Sequence, residues 1–155
     1  MVLARLHGKQ LGWRDTARAM SKGNVEILRR SNEAFDRRDR AAFIALHSDD
    51  YEIVPAREFP ETGVIRGPGA AWDFYVNFFV EAFQGQTPYS DMADLSDAGE
   101  DKVLAHTRGR MRGGSTGAEV DTEAWMVATF RDGMIVRDQW FFKRGEALEA
   151  AGLRE

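Results

Sequence analysis

Two segments decide the fold, KVLAHTRGRMR (102–112) and EVDTEAWMVATFR (119–131). Pairing them as antiparallel strands around a turn at 114–117 sets three arginines opposite three acids: Arg112–Glu119, Arg110–Asp121 and Arg108–Glu123. Three such pairs in one register favour this alignment, because facing charges of opposite sign stabilise neighbouring strands. The alternate positions, such as Met111 opposite Val120, carry small or apolar side chains. We therefore predict a hairpin with one charged face and one apolar face.

Helices precede this hairpin and further strands surround it. The spacing of apolar residues predicts helices over 24–37 (with Asn24 as N-cap), 40–47 and 68–83, and a last helical turn over 146–151. Strands are predicted over 51–55, 63–67, 89–95 and 134–142. Helices followed by a long sheet imply an α+β fold with the helices on one face of the sheet. The expected architecture is a cone-shaped α+β barrel, a curved antiparallel sheet wrapped around the N-terminal helices, with Gly109 as a bending point.

The chain has 155 residues, of which 43% are hydrophobic, and this suits one compact domain. Residues 1–19 differ in composition, because they contain several basic residues and a single acid, Asp15. We interpret them as an N-terminal extension outside the core, from an overcalled start codon or a cloning remnant; a basic targeting arm is the alternative. The domain proper would then span 20–155.

Composition excludes several classes of function. A net charge of −4 gives no bulk attraction to nucleic acid, and the arginines of the hairpin already face acids. Cysteine is absent, and the three histidines lack metal-ligand spacing, so we expect neither a metal nor a cofactor. No apolar run reaches the roughly 20 residues of a membrane helix, and the N-terminus lacks the apolar region of a signal peptide. The protein is therefore expected to be cytoplasmic, without membrane contact.

The last strand determines which side chains face the helices. Its even-numbered residues are mostly apolar, which predicts that the even row points inward. A three-residue turn with Gly133 in the left-handed conformation would pair Met126 with Asp138 and Ala124 with Trp140. Asp138 is then a lone carboxylate in an apolar row, where desolvation raises its pKa unless a donor compensates.

Two interpretations of Asp138 stay open. It is either a general acid or base in an apolar pocket, or a structural carboxylate satisfied by an arginine, a tyrosine or a helix N-terminus. The residues predicted to line the pocket are Ile53, Trp72, Tyr75, Thr107, Met126 and Trp140. The aromatic ones among them could equally be ordinary core residues.

The opposite face of the sheet carries the charged pairs together with four apolar residues: Trp125, Val127, Ile135 and Phe141. This mixture predicts a homodimer through the outer sheet face, in which the aromatics are buried and the charges align the two copies. Alternatively, the charged pairs do no more than fix the strand register. His106 is predicted to lie on this face, opposite Trp125, as a surface histidine.

Several motifs resemble SnoaL-like proteins of the nuclear transport factor 2-like superfamily, over about residues 20–153. They are NVEILRR (24–30), the helix entry at Gly67, RGRMRGGS (108–115), FRDGMIVR (130–137) and EALEAAGL (146–153). The resemblance implies the cone fold. It leaves the activity open, because the superfamily includes polyketide cyclases, ketosteroid isomerases, epoxide hydrolases, dehydratases and members without known activity.

The same resemblance implies that the known catalytic positions hold other residue types here. The cyclases' histidine and aspartate fall on Met126 and Trp140, and the isomerases' base falls on Pro55. The epoxide hydrolases' triad is also missing, with Thr107 at the position of its arginine. Asp138 is left as the inward acid of these strands, at a position that is not catalytic in those families.

These observations lead to three hypotheses about function. The preferred one is a small-molecule-binding SnoaL-like domain whose conical pocket takes a small apolar or aromatic ligand. The first alternative is a polyketide cyclase, isomerase or dehydratase type of enzyme, with Asp138 as general acid or base and Tyr75 or Tyr51 polarising a carbonyl. The second is a homodimeric structural or interaction module. Whether the protein is an enzyme is left undecided by the sequence.

Overall fold

The computed structural model describes residues 5–6, 9–10, 13–59, 62–83, 88–112 and 117–153. Its helices are α1 (Trp13–Asp36), α2 (Arg40–Ala45), α3 (Pro68–Phe83), α4 (Tyr89–Met92) and α5 (Arg144–Ala150). Its strands are β1 (Arg5–Leu6), β2 (Lys9–Gln10), β3 (His47–Val54), β4 (Ile65–Arg66), β5 (Ala93–Asp97), β6 (Lys102–Arg112), β7 (Glu119–Arg131) and β8 (Met134–Phe141). Strands β1 and β2 pair with each other, and the remaining six form one sheet in the order β4-β3-β8-β7-β6-β5.

The predicted α+β fold is confirmed: a curved, unclosed six-stranded sheet packs against the helices. One pairing differs from the expected antiparallel arrangement, because β3 runs parallel to β8. The main core lies between the helices and the sheet, and its largest fully buried side chains include Tyr51, Leu28 and Ile53. In the described parts of the chain, every helix is too short or too polar to cross a membrane.

The predicted register of β6 and β7 is confirmed, including Arg110 opposite Asp121 and Gly109 opposite Thr122. The turn that joins these strands was placed at 114–117, and 113–116 lie outside the described residues. Only some of the ion pairs join residues that lie directly opposite each other. Others reach a diagonal neighbour or a residue of the next strand. Arg110 binds Asp121 at 2.8 Å, whereas Arg108 binds Asp94 of β5 at 2.7 Å.

The predicted register of β7 and β8 is wrong by two positions, since Met126 pairs with Trp140 and Ala128 pairs with Asp138. The cause is a two-residue turn, in which Asp132 and Gly133 both have positive φ (53° and 76°), followed by a bulge in the ladder. Together the shorter turn and the bulge preserve the face of Asp138.

Because of the bulge, the prediction that Ile135 lies on the outer face is wrong. This residue lies before the irregularity, and it is fully buried in the main core instead of on the outer face. The other outer-face residues keep their predicted side, but α5 covers them. Trp125 and Val127 are 7% and 2% exposed, and they form a second core with Leu148 and its neighbours on α5. A dimer surface on this face would therefore have to do without these two apolar side chains.

Helix α1 begins at Trp13, so the prediction that Asn24 caps it is wrong. Asn24 lies inside the helix, where its side-chain amide donates a hydrogen bond to the backbone carbonyl of Glu100 at 2.9 Å. A tertiary partner thus replaces the capping role that the residue type suggested. The helix runs without a break across residue 20, and the assignment of 1–19 as an extension stays a prediction.

Candidate functional site

Strand β8 carries the central acid of the site. Asp138 is 4% exposed and faces the helices. Its Oδ2 atom accepts hydrogen bonds from the hydroxyl groups of Tyr51 at 2.5 Å and Tyr75 at 3.0 Å. The indole Nε1 of Trp140 donates to the Tyr75 hydroxyl at 3.1 Å. Four side chains from β3, α3 and β8 therefore form one hydrogen-bonded network.

Burial and hydrogen bonding act on this acid in opposite directions. Burial raises the pKa of Asp138, and the hydrogen bonds from Tyr51 and Tyr75 lower it. Burial is the larger effect, and the resulting pKa is about 6. Burial and the nearby carboxylate raise the pKa of both tyrosines well above the usual value. The phenols therefore stay protonated as donors, and the carboxyl group changes its charge in the mildly acidic range.

The second carboxylate oxygen lacks a partner. Asp138 Oδ1 is buried and makes no hydrogen bond within the described part of the chain. Asp138 lines a cavity of about 30 Å³, here called the polar cavity. Its lining comprises Leu28, Ser31, Asn32, Phe35, Phe43, Tyr75, Phe79, Tyr89, Met126, Asp138 and Trp140. This volume is enough for about one water molecule or one hydroxyl group.

A larger pocket of about 200 Å³ adjoins the polar cavity, and it is here called the aromatic pocket. Its lining comprises Ile53, Pro55, Ala56, Phe59, Phe74, Tyr75, Phe78, Phe79, Thr107, Thr122, Glu123, Ala124, Trp140 and Phe142. Phe59 and Phe142 are 45% and 43% exposed and meet edge to face at 5.4 Å. The walls are therefore almost entirely apolar, and part of the aromatic surface remains open to solvent.

The predicted site residues divide between these two spaces. Ile53, Tyr75, Thr107 and Trp140 line the aromatic pocket, and Met126 and Asp138 line the polar cavity. Tyr75, Phe79 and Trp140 belong to both linings. Trp72 lies in neither of them. Its ring packs against Phe35 and Phe43, with centroids 5.8 and 5.2 Å apart, so it is a core residue.

Sequence reasoning did not include several pocket residues. Phe74 and Phe78 lie one turn apart on α3, and their rings stack at 6.1 Å. The excess of aromatics on this helix could have indicated them, because one narrow stripe cannot bury so many rings. Phe59 carried no signal, since it lies in the loop between β3 and β4.

A buried histidine was also missed. His47 is 3% exposed, and burial lowers its pKa to about 4. Its Nδ1 donates to the backbone carbonyl of Phe43 at 2.6 Å, and its ring lies 4.1 Å from the Phe43 ring and 4.4 Å from the Tyr51 ring. The imidazole is therefore neutral at physiological pH, and it packs directly behind one of the donors to Asp138.

His106 lies on the outer face opposite Trp125, as the sequence predicted. The two rings stack in parallel at 4.8 Å, and the imidazole pairs with Glu123 at 2.7 Å. Within the described residues, no three His, Asp or Glu side chains cluster in a way that could hold a metal ion.

A family model described as the SnoaL-like domain matches residues 28–138. No curated protein matches the chain at a significant level in sequence. Among solved structures, an NTF2-like protein from Burkholderia xenovorans LB400 is 21% identical, with a TM-score of 0.64 over 84% of this chain and 95% of that one. At these identities, structural similarity shows a shared fold and no more.

Two further structures have informative names. One is a protein from Jannaschia sp. CCS1 that is named as a SnoaL-like polyketide cyclase. It is 16% identical, with a TM-score of 0.61 over 86% of this chain and 94% of that one. The Mycobacterium tuberculosis protein RV0760c, in complex with estradiol-17beta-hemisuccinate, is 14% identical, with a TM-score of 0.57 over 79% of this chain and 95% of that one.

Proposed function

Because the chain belongs to the SnoaL-like domain family, we propose that it binds a small apolar or aromatic ligand in the aromatic pocket. The observation that carries this proposal is the pocket itself, about 200 Å³ in volume and walled mainly by aromatic side chains. Sites for small molecules are typically concave and mostly apolar, with a few polar groups that orient the ligand. Here Thr107, Thr122 and Glu123 are the polar residues of the lining.

A neighbour of the same fold supports this proposal. RV0760c is seen in complex with estradiol-17beta-hemisuccinate, so this fold can hold a steroid ester. In the present chain, Phe59, Phe78 and Phe142 are each more than 40% exposed beside the pocket. When a ligand covers this exposed aromatic surface, binding is favoured by about 25 cal/mol per Å² of apolar area removed from water.

Filling the pocket tests the proposal. Ala124 lines the pocket, and the substitution Ala124→Phe would place a ring in the space that a ligand needs. The matched control is Ala70→Phe, since Ala70 is exposed on α3 and lies outside the pocket lining. Binding of 2-naphthol and naphthalene is measured by isothermal titration calorimetry, with protein titrated into ligand.

We expect wild type and Ala70→Phe to bind the same probes with similar affinity, and Ala124→Phe to lose on the order of tenfold or more. Circular dichroism checks that both variants are folded. The proposal is overturned if neither probe binds wild type, or if a folded Ala124→Phe binds as well as wild type.

An enzymatic function is the second candidate, favoured by the raised pKa of Asp138 and its free oxygen. A general base must come within hydrogen-bond reach of the proton it removes. Asp138 lies outside the aromatic-pocket lining, behind Tyr75 and Trp140, so a substrate would have to extend into the polar cavity.

Deuterium exchange at the α carbon of 2-tetralone, followed by NMR, tests proton transfer directly. An Asp138-dependent enzyme should accelerate this exchange and lose on the order of a hundredfold in rate in Asp138→Asn. A binding protein should show no acceleration in either form, while its affinity for apolar probes persists.

A homodimer through the outer sheet face is a separate prediction about partners. Since α5 covers Trp125 and Val127, the contact would use the exposed charged pairs, such as Arg110 with Asp121. Exposed pairs contribute little individually, so such a dimer should be weak and sensitive to salt. Sedimentation velocity at micromolar concentration, at low and high salt, tests it, and a monomer under both conditions would argue against it.

A further inference from the structure

Asp138 Oδ1 differs from the other buried oxygen without a partner in the described part of the chain, Glu146 Oε2. The Glu146 side chain is 31% exposed, and its Oε1 atom pairs with Arg57 at 3.3 Å. Asp138 is 4% exposed, so bulk solvent does not reach this carboxylate. A buried carboxylate oxygen without a donor is unfavourable, and in folded proteins such atoms usually have a partner.

The donors of the network around Oδ2 are already in use. The hydroxyl hydrogens of Tyr51 and Tyr75 both go to Oδ2, and the indole N–H of Trp140 goes to the Tyr75 oxygen. The hydroxyl of Tyr89, which also lines the polar cavity, is hydrogen-bonded to Thr107 at 3.2 Å. No hydrogen bond of the described residues reaches Oδ1, so a group that enters the polar cavity can supply the donor.

The polar cavity has the size and polarity for one such group. Its volume of about 30 Å³ fits a single water molecule or hydroxyl group. Ser31 and Asn32 also line it, so an incoming hydroxyl would find further polar partners. Because Tyr75, Phe79 and Trp140 line both spaces, the polar cavity lies directly behind the wall of the aromatic pocket.

On the basis of the proposed function, we propose that the ligand is an apolar molecule with one neutral hydrogen-bond donor, an alcohol, a phenol or an N–H group. The donor group enters the polar cavity and donates to Asp138 Oδ1, while the apolar body occupies the aromatic pocket. A ligand that has only acceptors, such as an ether, leaves Oδ1 without a partner. A carboxylate in the same place is repelled by the charge of Asp138.

A matched set of ligands tests this specificity: 2-naphthol as donor, 2-methoxynaphthalene as acceptor, and naphthalene without a polar group. Calorimetry at pH 7.5 measures the affinity of wild type for each. We expect 2-naphthol to bind on the order of tenfold more tightly than the other two, because hydrogen bonds to charged groups are among the stronger ones.

The substitution Asp138→Asn should reverse the preference. Tyr51 and Tyr75 both donate, so the amide oxygen must take the place of Oδ2, and the amide NH₂ then replaces Oδ1. The site would change from acceptor to donor, and the affinity for 2-methoxynaphthalene should rise relative to that for 2-naphthol. If this variant does not fold, the comparison of the three ligands in wild type still decides.

Each outcome has a defined meaning. Preference for 2-naphthol in wild type, reversed or abolished in a folded Asp138→Asn, supports the inference. Equal affinity of wild type for 2-naphthol and 2-methoxynaphthalene overturns it and leaves apolar ligand binding intact. Failure of all three ligands to bind overturns both the inference and the proposed function.

Discussion

Tyr51 donates a hydrogen bond to Asp138 at 2.5 Å, although 87 positions separate them in the sequence. The contact exists because β3 and β8 run side by side in parallel, with Ile53 opposite Asp138 in the register. Tyr51 lies two residues before Ile53 and therefore on the same face of the strand. The parallel pair within an otherwise antiparallel sheet is thus what assembles the candidate site.

Removing the Tyr51 hydroxyl should destabilise the fold. The variant Tyr51→Phe keeps the buried ring but takes one donor from a buried carboxylate, so we expect a loss of about 1.5–3 kcal/mol in the free energy of unfolding at pH 7.5. Tyr89→Phe is the matched control, because this buried hydroxyl bonds to the neutral Thr107. Its loss should be smaller, about 0.5–1.5 kcal/mol. Urea unfolding measures both, and equal losses would contradict a charged Asp138.

The raised pKa of Asp138 should contribute a loss of stability as pH rises, which is measured as the difference between wild type and Asp138→Asn. The pKa of this carboxyl group is about 6 in the folded state, against the ordinary value of 3.8 that applies to an unfolded chain, so the folded state binds more protons between these values. The stabilisation is complete below about pH 4 and is lost as pH passes through 6. At about 1.4 kcal/mol per pKa unit, the change amounts to about 3 kcal/mol. Asp138→Asn should lack this dependence.

Asp50→Asn serves as the control for that experiment. Asp50 is exposed, and hydrogen bonds from Ser48 and Arg131 lower its pKa. Its contribution to stability is present above its unfolded pKa and is lost as pH falls, which is the opposite sign. The range from pH 4 to 7.5 lies above that unfolded value of 3.8, so urea titrations of Asp50→Asn should run nearly parallel to those of wild type, whereas the difference between Asp138→Asn and wild type should change with pH. Parallel curves for wild type and Asp138→Asn would contradict the raised pKa of Asp138.

His47 should oppose Asp138 over nearly the same range of pH. Burial lowers its pKa from 6.5 to about 4, so the unfolded state binds more protons between those values, and stability falls as pH drops from 6.5 to 4. The size is again about 3 kcal/mol. The two effects largely cancel in wild type. His47→Asn, whose amide can still donate to Phe43, should reveal the fall in stability with rising pH that Asp138 causes. A variant with a flat profile would contradict this assignment.

The register of β6 and β7 could be predicted because their sequences contain redundant signals. Three charge pairs, such as Arg110 with Asp121, and the alternation of side chains all specify one register. The register of β7 and β8 could not be predicted, because the shorter turn and the bulge together leave Asp138 and the residues after it on their predicted face. Hydrophobic alternation reports which face Asp138 occupies, and it carries little information about which residue lies opposite.

The candidate site was predictable only in part for a related reason. The burial of Asp138 followed from the pattern of β8, whereas a tyrosine was only one of three partners that the sequence left open. The identity of Tyr51 as that partner depends on the parallel pairing of β3 with β8, which no local turn encodes. His47 was missed because its burial results from ring contacts with Phe43 and Tyr51, which only the assembled fold brings together.

The turn between β7 and β8 permits a test with one substitution at two places. Gly133 has φ of 76° and open space where a Cβ would lie, so Gly133→Ala should cost about 1–2 kcal/mol from backbone conformation alone. Gly23 also has free space at its Cβ position, but it lies exposed inside α1, where Gly23→Ala should stabilise by roughly 0.5–1 kcal/mol. Urea unfolding should therefore show shifts of opposite sign. A stabilised Gly133→Ala would contradict the two-residue turn, and with it the register that sets Asp138 opposite Ala128.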